Sequence, residues 1–440
     1  MNRRDAVFKN FDKYREETDD RVKNGIEQNR KGYVSVTVAD KDGKPIPGVK
    51  IRAKLKRHEY LHGANIFMLD ELETDEKNEK YRTAFKDAFN EATLPFYWDA
   101  LEPEENKPRY TKDSPKIYRR PSPDLCLEFC EQNRIIPKAH CLTYFNFQPS
   151  WVSKSDIADM KTKLEKRYKE LSERYSARIH GWEVINELFR SQDPHNQDAF
   201  FRADDVLDWN FKLAEKYFPD NKLIVNEAGQ IWEWQHFSYS RSGYYQMIEQ
   251  GLRRGLRIDC TGMQYHMFFP KDNEQALCTD RYNPNTLFAV LDTYEKLGKP
   301  IQITEITIPA YSNSAEDEKI QAELIERLYG IWFSHKATEA IIYWNLPDGY
   351  AAFAPKGDMT TGENIYYGGL LRFDLSKKPA YDVIYDMFNR RWTTDETAET
   401  NGEGTAKFKG FYGEYEIAAN GKTFTVNFKK DGNNTFNITV

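Results

Sequence analysis

Between residues 60 and 392 the chain alternates short apolar runs with helical patterns, and eight such runs can be counted. They are His62–Phe67, Phe89–Leu94, Ile135–Leu142, Gly181–Asn186, Lys222–Asn226, Gly262–His266, Pro300–Thr304 and Ala340–Asn345. Helical stretches such as Lys154–Arg174 and Ala315–Ser334 separate them. Continuous apolar runs of this length are the mark of strands buried on both faces, as in a parallel sheet covered by helices. Eight strand-then-helix units over about 330 residues match a closed (β/α)8 TIM barrel, an α/β fold, with loop insertions. An open doubly wound sheet is the rival, but it normally announces a Gly-rich phosphate loop after its first strand, and none is present.

The two ends read differently. Residues 5 to 31 form a charged amphipathic helix with Val7, Phe8, Phe11, Tyr14, Val22 and Ile26 as a thin apolar stripe. Tyr33–Val38 and Val49–Leu55 each alternate with period two around the turn Asp42-Gly43, which predicts a hairpin. A lone hairpin is too small to be stable. The far end offers partners in Phe408–Ile417 and Phe424–Phe428, joined by Asn420-Gly421. The expectation is one small accessory β-sandwich built from both chain ends: residues 1–58 and 394–440 form it, and residues 59–393 form the barrel. Phe408, Phe411, Tyr412 and Tyr415 suit the core of so small a module better than a carbohydrate-binding face.

Two of the eight runs end in acids. Gly181–Asn186 is followed by Glu187, and Pro300–Thr304 by Glu305, 118 residues later. In a barrel, chemistry projects from strand C-termini. A pair of carboxylates placed there suits glycosidic bond hydrolysis, one donating a proton and one attacking carbon. The Asn186-Glu187 pair also suits a helix cap, and Glu305 a structural ion pair at the barrel mouth.

Composition narrows the partner. A net charge of −6 and a pI near 5.9, with lysines mixed among acids, leave no basic stripe for nucleic acid. Aromatics make up 14% of the chain, with nine tryptophans, several in predicted loops where flat rings stack on sugars. Trp232 and Trp234, after the fifth run, are two of these. Five cysteines, Cys126, Cys130, Cys141, Cys260 and Cys278, show no disulfide framework or zinc spacing and read as small buried residues. No run of about 18 apolar residues suggests a membrane span. The charged start lacks the apolar stretch of a signal peptide. Either the protein is cytoplasmic or its leader is not part of this chain; the expectation is secretion or a periplasmic place with the leader absent.

Several segments resemble the signatures of glycoside hydrolase family 10, the retaining endo-β-1,4-xylanases. These are Trp182–Glu187, Gly262–His266, Ile303–Glu305, Lys378–Tyr381, Ala139-His140, Pro149–Trp151 and Trp98–Pro103, in family order across residues 60 to 392. The resemblance implies a (β/α)8 barrel and double-displacement cleavage of a β-1,4-linked xylose polymer. It also implies that Glu187 is the acid/base and Glu305 the nucleophile, and that Asn186 hydrogen-bonds the 2-hydroxyl of the sugar being cleaved. His140, Gln264 and His266 match positions around the cleaved sugar, and Trp344 would floor the site; a lone histidine or a buried tryptophan also suits a core.

Departures from the pattern fall on the glycone side. Thr93–Trp98 is two residues shorter than in the family and lacks the sugar-binding asparagine and lysine. Tyr144 and Phe145 replace a tryptophan and a histidine, and Ala352 stands where a second tryptophan is expected. Thr307 replaces the aspartate that normally orients the nucleophile's histidine. A hydroxyl cannot stabilise imidazolium as a carboxylate does, so His266 is expected to be less often protonated.

The expected function is therefore hydrolysis of xylan or a decorated xylan from plant cell walls, by a monomer without cofactor or metal. A different β-glycan, exo-type cleavage, or a non-catalytic carbohydrate-binding barrel are the alternatives. A metal-dependent barrel hydrolase would need a histidine pair near the first strand, where only His62 is available.

Overall fold

The computed structural model describes residues 2–192, 198–233 and 237–440. The N-terminal segment is three helices, Arg3–Val7, Lys9–Lys13 and Arg15–Asn29, where one continuous helix was expected. Phe8 and Tyr14 leave helical geometry between them. Val7, Phe8 and Phe11 are all buried in the core. The third helix crosses the helix Ala315–Ser334 at Gly25, where a Cβ would lie 2.6 Å from the Ser334 carbonyl oxygen.

Strands β1 (Lys31–Ala39) and β2 (Lys50–His58) follow. They do not form the expected hairpin. The chain turns at Asp40–Lys44, but Pro45 and Pro47 interrupt the return, and a proline has no N–H to carry a ladder. The two strands instead enter different sheets.

The barrel follows as β3 (Leu61–Asn65), β4 (Glu91–Pro95), β5 (Ile136–His140), β6 (Thr143–Tyr144), β7 (Gly181–Asn186), β8 (Lys222–Glu227), β9 (Cys260–His266), β10 (Ile301–Thr307) and β11 (Thr338–Tyr343). All pair in parallel, and β5 and β6 together serve as one interrupted strand beside β7, which closes the cylinder. Each of the eight runs read from the sequence is a barrel strand. β4, β7 and β10 are buried at every residue, because one side faces the barrel interior and the other the helices. The helix Ile157–Tyr175 shows how those helices dock: Met160, Leu164, Tyr168, Leu171 and Tyr175, spaced by three or four, are its buried stripe, and Asp156 caps its first turn.

After the barrel come β12 (Asp395–Glu399), β13 (Thr405–Phe411), β14 (Gly413–Ala419), β15 (Lys422–Phe428) and β16 (Thr435–Thr439). One sheet has the order β13-β1-β16 and the other β12-β2-β14-β15. Each end of the chain thus supplies strands that the other end needs. Inward residues alternate along them, Val34, Val36 and Val38 on β1 and Ile51, Ala53 and Leu55 on β2. Asn420-Gly421 makes the tight turn between β14 and β15, both residues in the left-handed region that such a hairpin requires. Phe408, Phe411 and Tyr415 are buried in the module, and Tyr412 is half-buried. The buried Arg30 links module and barrel, donating to the carbonyls of Phe333, His335 and Thr338. All five cysteines are free and buried. Among the described residues no helix is long and apolar enough to cross a membrane.

Candidate active site

Polar side chains collect where β5, β7, β8, β9 and β10 end. Glu187 follows the last residue of β7 with φ of +51°, a left-handed conformation that costs a non-glycine residue about 1–3 kcal/mol. Its backbone N–H donates to the Asn226 carbonyl across the β7–β8 ladder, which holds the turn. Glu305 lies within β10, two residues before the strand ends.

One amide ties the two acids together. Gln264 Nε2 stands 3.1 Å from Glu187 Oε1 and 3.1 Å from Glu305 Oε1, so those oxygens are at most about 6 Å apart, short of the roughly 6.5–9.5 Å of an inverting pair. Asn186 Oδ1 accepts from Asn226 Nδ2 at 2.8 Å and Gln264 Nε2 at 3.3 Å. Its own amide hydrogens have no protein partner among the described residues.

Glu305 accepts from Asn226 Nδ2 at 2.9 Å, Gln264 Nε2 at 3.1 Å and His266 Nε2 at 3.0 Å. Burial, with the carboxylates of Glu183 and Glu187 nearby, pushes its pKa up, and His140 and Lys138 oppose the shift. The three donors favour the ionised form against that burial. Asn226 is itself aimed by Thr304, whose hydroxyl donates to Asn226 Oδ1 at 2.5 Å. Gly262 leaves the room: a Cβ there would meet Asn226 Oδ1 at 2.6 Å.

His266 ends β9 and faces Glu305. Burial draws its pKa down to about 4. Its Nδ1 lies 2.9 Å from Thr307 Oγ1. A hydroxyl can donate to Nδ1, which leaves the ring proton on Nε2, facing Glu305. Thr307 thus adds no charge beside the ring, whose pKa lies in the lowered direction expected.

His140 belongs to a second layer. Its Nδ1 donates to Glu183 Oε2 at 2.5 Å, its Nε2 is 2.9 Å from the Tyr97 hydroxyl, and Nδ1 is 3.8 Å from Glu305 Oε1. Lys138 Nζ pairs with Glu183 Oε1 at 2.7 Å, with both side chains buried. Burial alone would neutralise the histidine, but Glu183 raises its pKa. Lys138 and His140 in turn hold Glu183 down to about 2 against its own burial. His140, Glu183 and Glu305 bring potential metal-ligand atoms within 4.8 Å. A cation there would have to displace the Lys138 ammonium and the His140 N–H from Glu183.

Tyr144 donates from its hydroxyl to Glu187 Oε2 at 2.8 Å, and Arg190 Nη1 reaches the same oxygen at 3.3 Å. Trp344 is buried and stands edge-on to His140, with ring centroids 5.4 Å apart, and to His266 at 5.7 Å. Glu187, Glu305, Asn186, His140, Tyr144, Gln264, His266 and Trp344 thus form one continuous network. Trp232 does not join it as a cleft ring: it is fully buried, and its indole N–H donates to the Gln264 carbonyl, because aromatic side chains under a loop serve the core as readily as a ligand. Trp234 lies outside the described residues.

Sequence reasoning missed Lys138, Glu183, Asn226, Thr304 and Tyr97. The first four carried a signal, being polar residues inside apolar strand runs near the end where the acids project. Tyr97 sits in a loop with no such pattern. A cavity of about 1080 Å³ opens at the other end of the molecule, among Arg30, Tyr60, Lys222, Thr338 and the accessory strands. It lies at the N-terminal ends of the barrel strands, the face associated with stability, and none of the residues named above as the site lines it.

The model of Glycosyl hydrolase family 10 matches residues 64–387. Over 430 residues the chain is 25% identical to anti-sigma-I factor RsgI6 of Acetivibrio thermocellus, covering 95% of this chain and 48% of that protein. The chain spans about half the length of that relative, and the match takes in both the barrel and the chain ends. It is also 25% identical over 326 residues to endo-1,4-beta-xylanase B of Thermotoga neapolitana, covering 71% of this chain and 84% of that protein. Among solved structures, xylanase 10B from Thermotoga petrophila RKU-1 in complex with xylobiose superposes with a TM-score of 0.59 at 22% identity, over 76% of this chain and 95% of that one. At that identity the likeness is one of fold.

Proposed function

The chain belongs to glycosyl hydrolase family 10, and from that membership we propose that it hydrolyses β-1,4-xylosidic bonds in xylan or a decorated xylan by double displacement. The observation that carries this reading is the Gln264 amide shared by Glu187 and Glu305, which sets the two carboxylates at a spacing suited to direct attack. Glu187 donates its proton to the glycosidic oxygen as the bond from that oxygen to the anomeric carbon breaks. Glu305 attacks the same carbon and forms a glycosyl ester. A water then attacks the anomeric carbon, gives its proton to Glu187 and releases Glu305.

The other side chains prepare this sequence. The unsatisfied amide hydrogens of Asn186 are free to meet the sugar 2-hydroxyl. The His266 N–H and the Asn226 amide hold Glu305 in one rotamer and balance its charge until the ester forms. Tyr144 holds Glu187. Similarity to endo-1,4-beta-xylanase B supports xylan as substrate. The glycone-side replacements, Tyr144 and Ala352 among them, favour a substrate other than bare linear xylan.

A second reading, a sugar-binding barrel without turnover, draws on the likeness to a protein named an anti-sigma factor over nearly the whole chain. Both acids being present speaks for chemistry. NMR of xylohexaose digestion separates the readings. A first product in the β configuration is expected. A first product in the α configuration refutes double displacement, and no release of reducing ends from any xylan refutes hydrolysis.

A further inference from the structure

The wall of the cleft beside His140 carries a cation that the reaction above does not use. Residues 103–122 form an irregular loop between the helices Trp98–Leu101 and Pro123–Gln132, and Arg119 and Arg120 lie near its end. The loop is pinned. Arg109 donates to the carbonyls of Ala100 at 2.8 Å, Pro115 at 2.7 Å and Arg120 at 3.2 Å. Arg119, with φ of +62°, donates to the Tyr350 carbonyl and to Asn345 Oδ1 at 3.1 Å. This anchoring fixes where the next side chain points.

Arg120 lies over the Tyr97 ring, its guanidinium carbon 4.0 Å from the centroid, with Phe147 at 5.3 Å and Phe67 at 5.5 Å. Both neighbouring rings lead to the chemistry. Tyr97 bonds His140 beside Glu305, and Phe147 packs on Tyr144, which bonds Glu187. Arg120 Nη1 donates to the carbonyl of Arg119 at 3.0 Å. Its Nε and Nη2 hydrogens have no protein partner, and no carboxylate pairs with it among the described residues. Asp99 and Glu363 act on it at longer range, and burial outweighs them, drawing its pKa down to about 10. A guanidinium held on aromatic faces with one edge open is arranged to take a carboxylate in two parallel hydrogen bonds. Leaving such a charge unpaired carries a cost that an anionic ligand would relieve.

We propose that Arg120 reads a carboxylate on the substrate, a uronic acid branch carried by the sugar chain bound beside His140 and Trp344. The inference rests on the xylan-hydrolase reading and names its substrate class as an acidic xylan. Neutral branches, such as pentoses, would gain nothing from this contact.

The test is calorimetric titration of the full chain with two oligosaccharides of equal backbone length, one bearing a single glucuronosyl branch and one unbranched. The wild type is expected to bind the acidic ligand at least about tenfold more tightly at low salt, as a charge-assisted pair allows, with the advantage shrinking as salt is raised. Arg120→Met keeps the stem on Tyr97 and should bring the two affinities within about twofold of each other. Arg120→Lys should keep part of the preference. Should the methionine variant not fold, the lysine variant and the wild-type salt dependence decide. Equal affinities in the wild type, or a preference that survives in Arg120→Met, overturn the proposal, as does failure to bind either ligand. Tight acidic binding without cleavage of any xylan overturns the hydrolase reading and leaves this site standing.

Discussion

Replacing Thr307 by aspartate puts a carboxylate oxygen where a hydroxyl now stands 2.9 Å from His266 Nδ1. Unit charges about 3–4 Å apart at an effective dielectric of about 20 attract by roughly 4–5 kcal/mol, or about three pKa units for the ring. Desolvating the new carboxylate takes back part of this, so a net rise of about two units is expected. His266, now near 4, would then titrate near its ordinary value. The imidazolium formed would sit 3.0 Å from Glu305 Oε2 and draw down the raised pKa of that carboxyl. Glu305 must be ionised to attack, so activity rises with pH through its pKa, and the acid limb of kcat/KM should move to lower pH by about one unit or more. Above the new His266 pKa the ring is neutral again, and the advantage should fade.

The assay is kcat/KM against pH on an aryl β-xylobioside for wild type and Thr307→Asp, with His266 followed by the NMR shift of its Cε1 carbon. Superimposable profiles would refute the reasoning. So would an acid limb that moves to higher pH, because that is the effect of an added negative charge beside a ring that stays neutral. Stability supplies an independent check. Between pH 6.5 and about 4 the unfolded chain takes up a proton that the native His266 refuses, so wild-type stability should fall as pH drops through that window, by up to about 3 kcal/mol. His58, drawn down to about 4 by burial, adds a term of the same sign. In Thr307→Asp the His266 part should largely vanish, which urea unfolding at pH 7.5 and pH 5 would measure.

Tyr144→Phe removes the 2.8 Å hydrogen bond that positions Glu187, and the loss of one such bond should cut kcat/KM roughly 3- to 10-fold while the melting temperature barely moves. Glu183→Gln strips the buried Lys138 of its counterion at a cost of about 3–5 kcal/mol, and a clear fall in Tm by calorimetry is expected; an unchanged Tm would mean that Lys138 is neutral in the fold. Deleting residues 394–440 removes every strand that pairs with β1 and β2, so the truncated chain should be insoluble or markedly less stable by denaturant titration. A soluble variant with wild-type unfolding would show that the barrel does not depend on the accessory strands.

What could be read from the sequence follows how local its causes are. The barrel strands were legible because a strand buried on both faces must be apolar along its length, whatever its partners. Glu187 and Glu305 were legible because an acid ending such a run has few structural reasons to be there. Pairing is a different matter. β1 and β2 each alternate as a hairpin arm should, yet Lys31 pairs with Phe411 and Gly413 with His58, and nothing within the N-terminal segment records partners some 350 residues away. The single N-terminal helix failed for a related reason: where Phe8 turns inward depends on the core that receives it. The same distinction runs through the site. Glu183 and Lys138 are ordinary strand positions by pattern, and only the closed cylinder makes them a buried ion pair, with Glu183 raising the pKa of His140. Arg120 is the extreme case, since its loop has no period at all. Its position over Tyr97 is set by contacts of Arg109 and Arg119 with backbone carbonyls from three parts of the fold. Specificity in this architecture is therefore the part least written in local pattern, because the strands that bring Glu187 and Glu305 together are common to the barrel while the loops around its mouth are not.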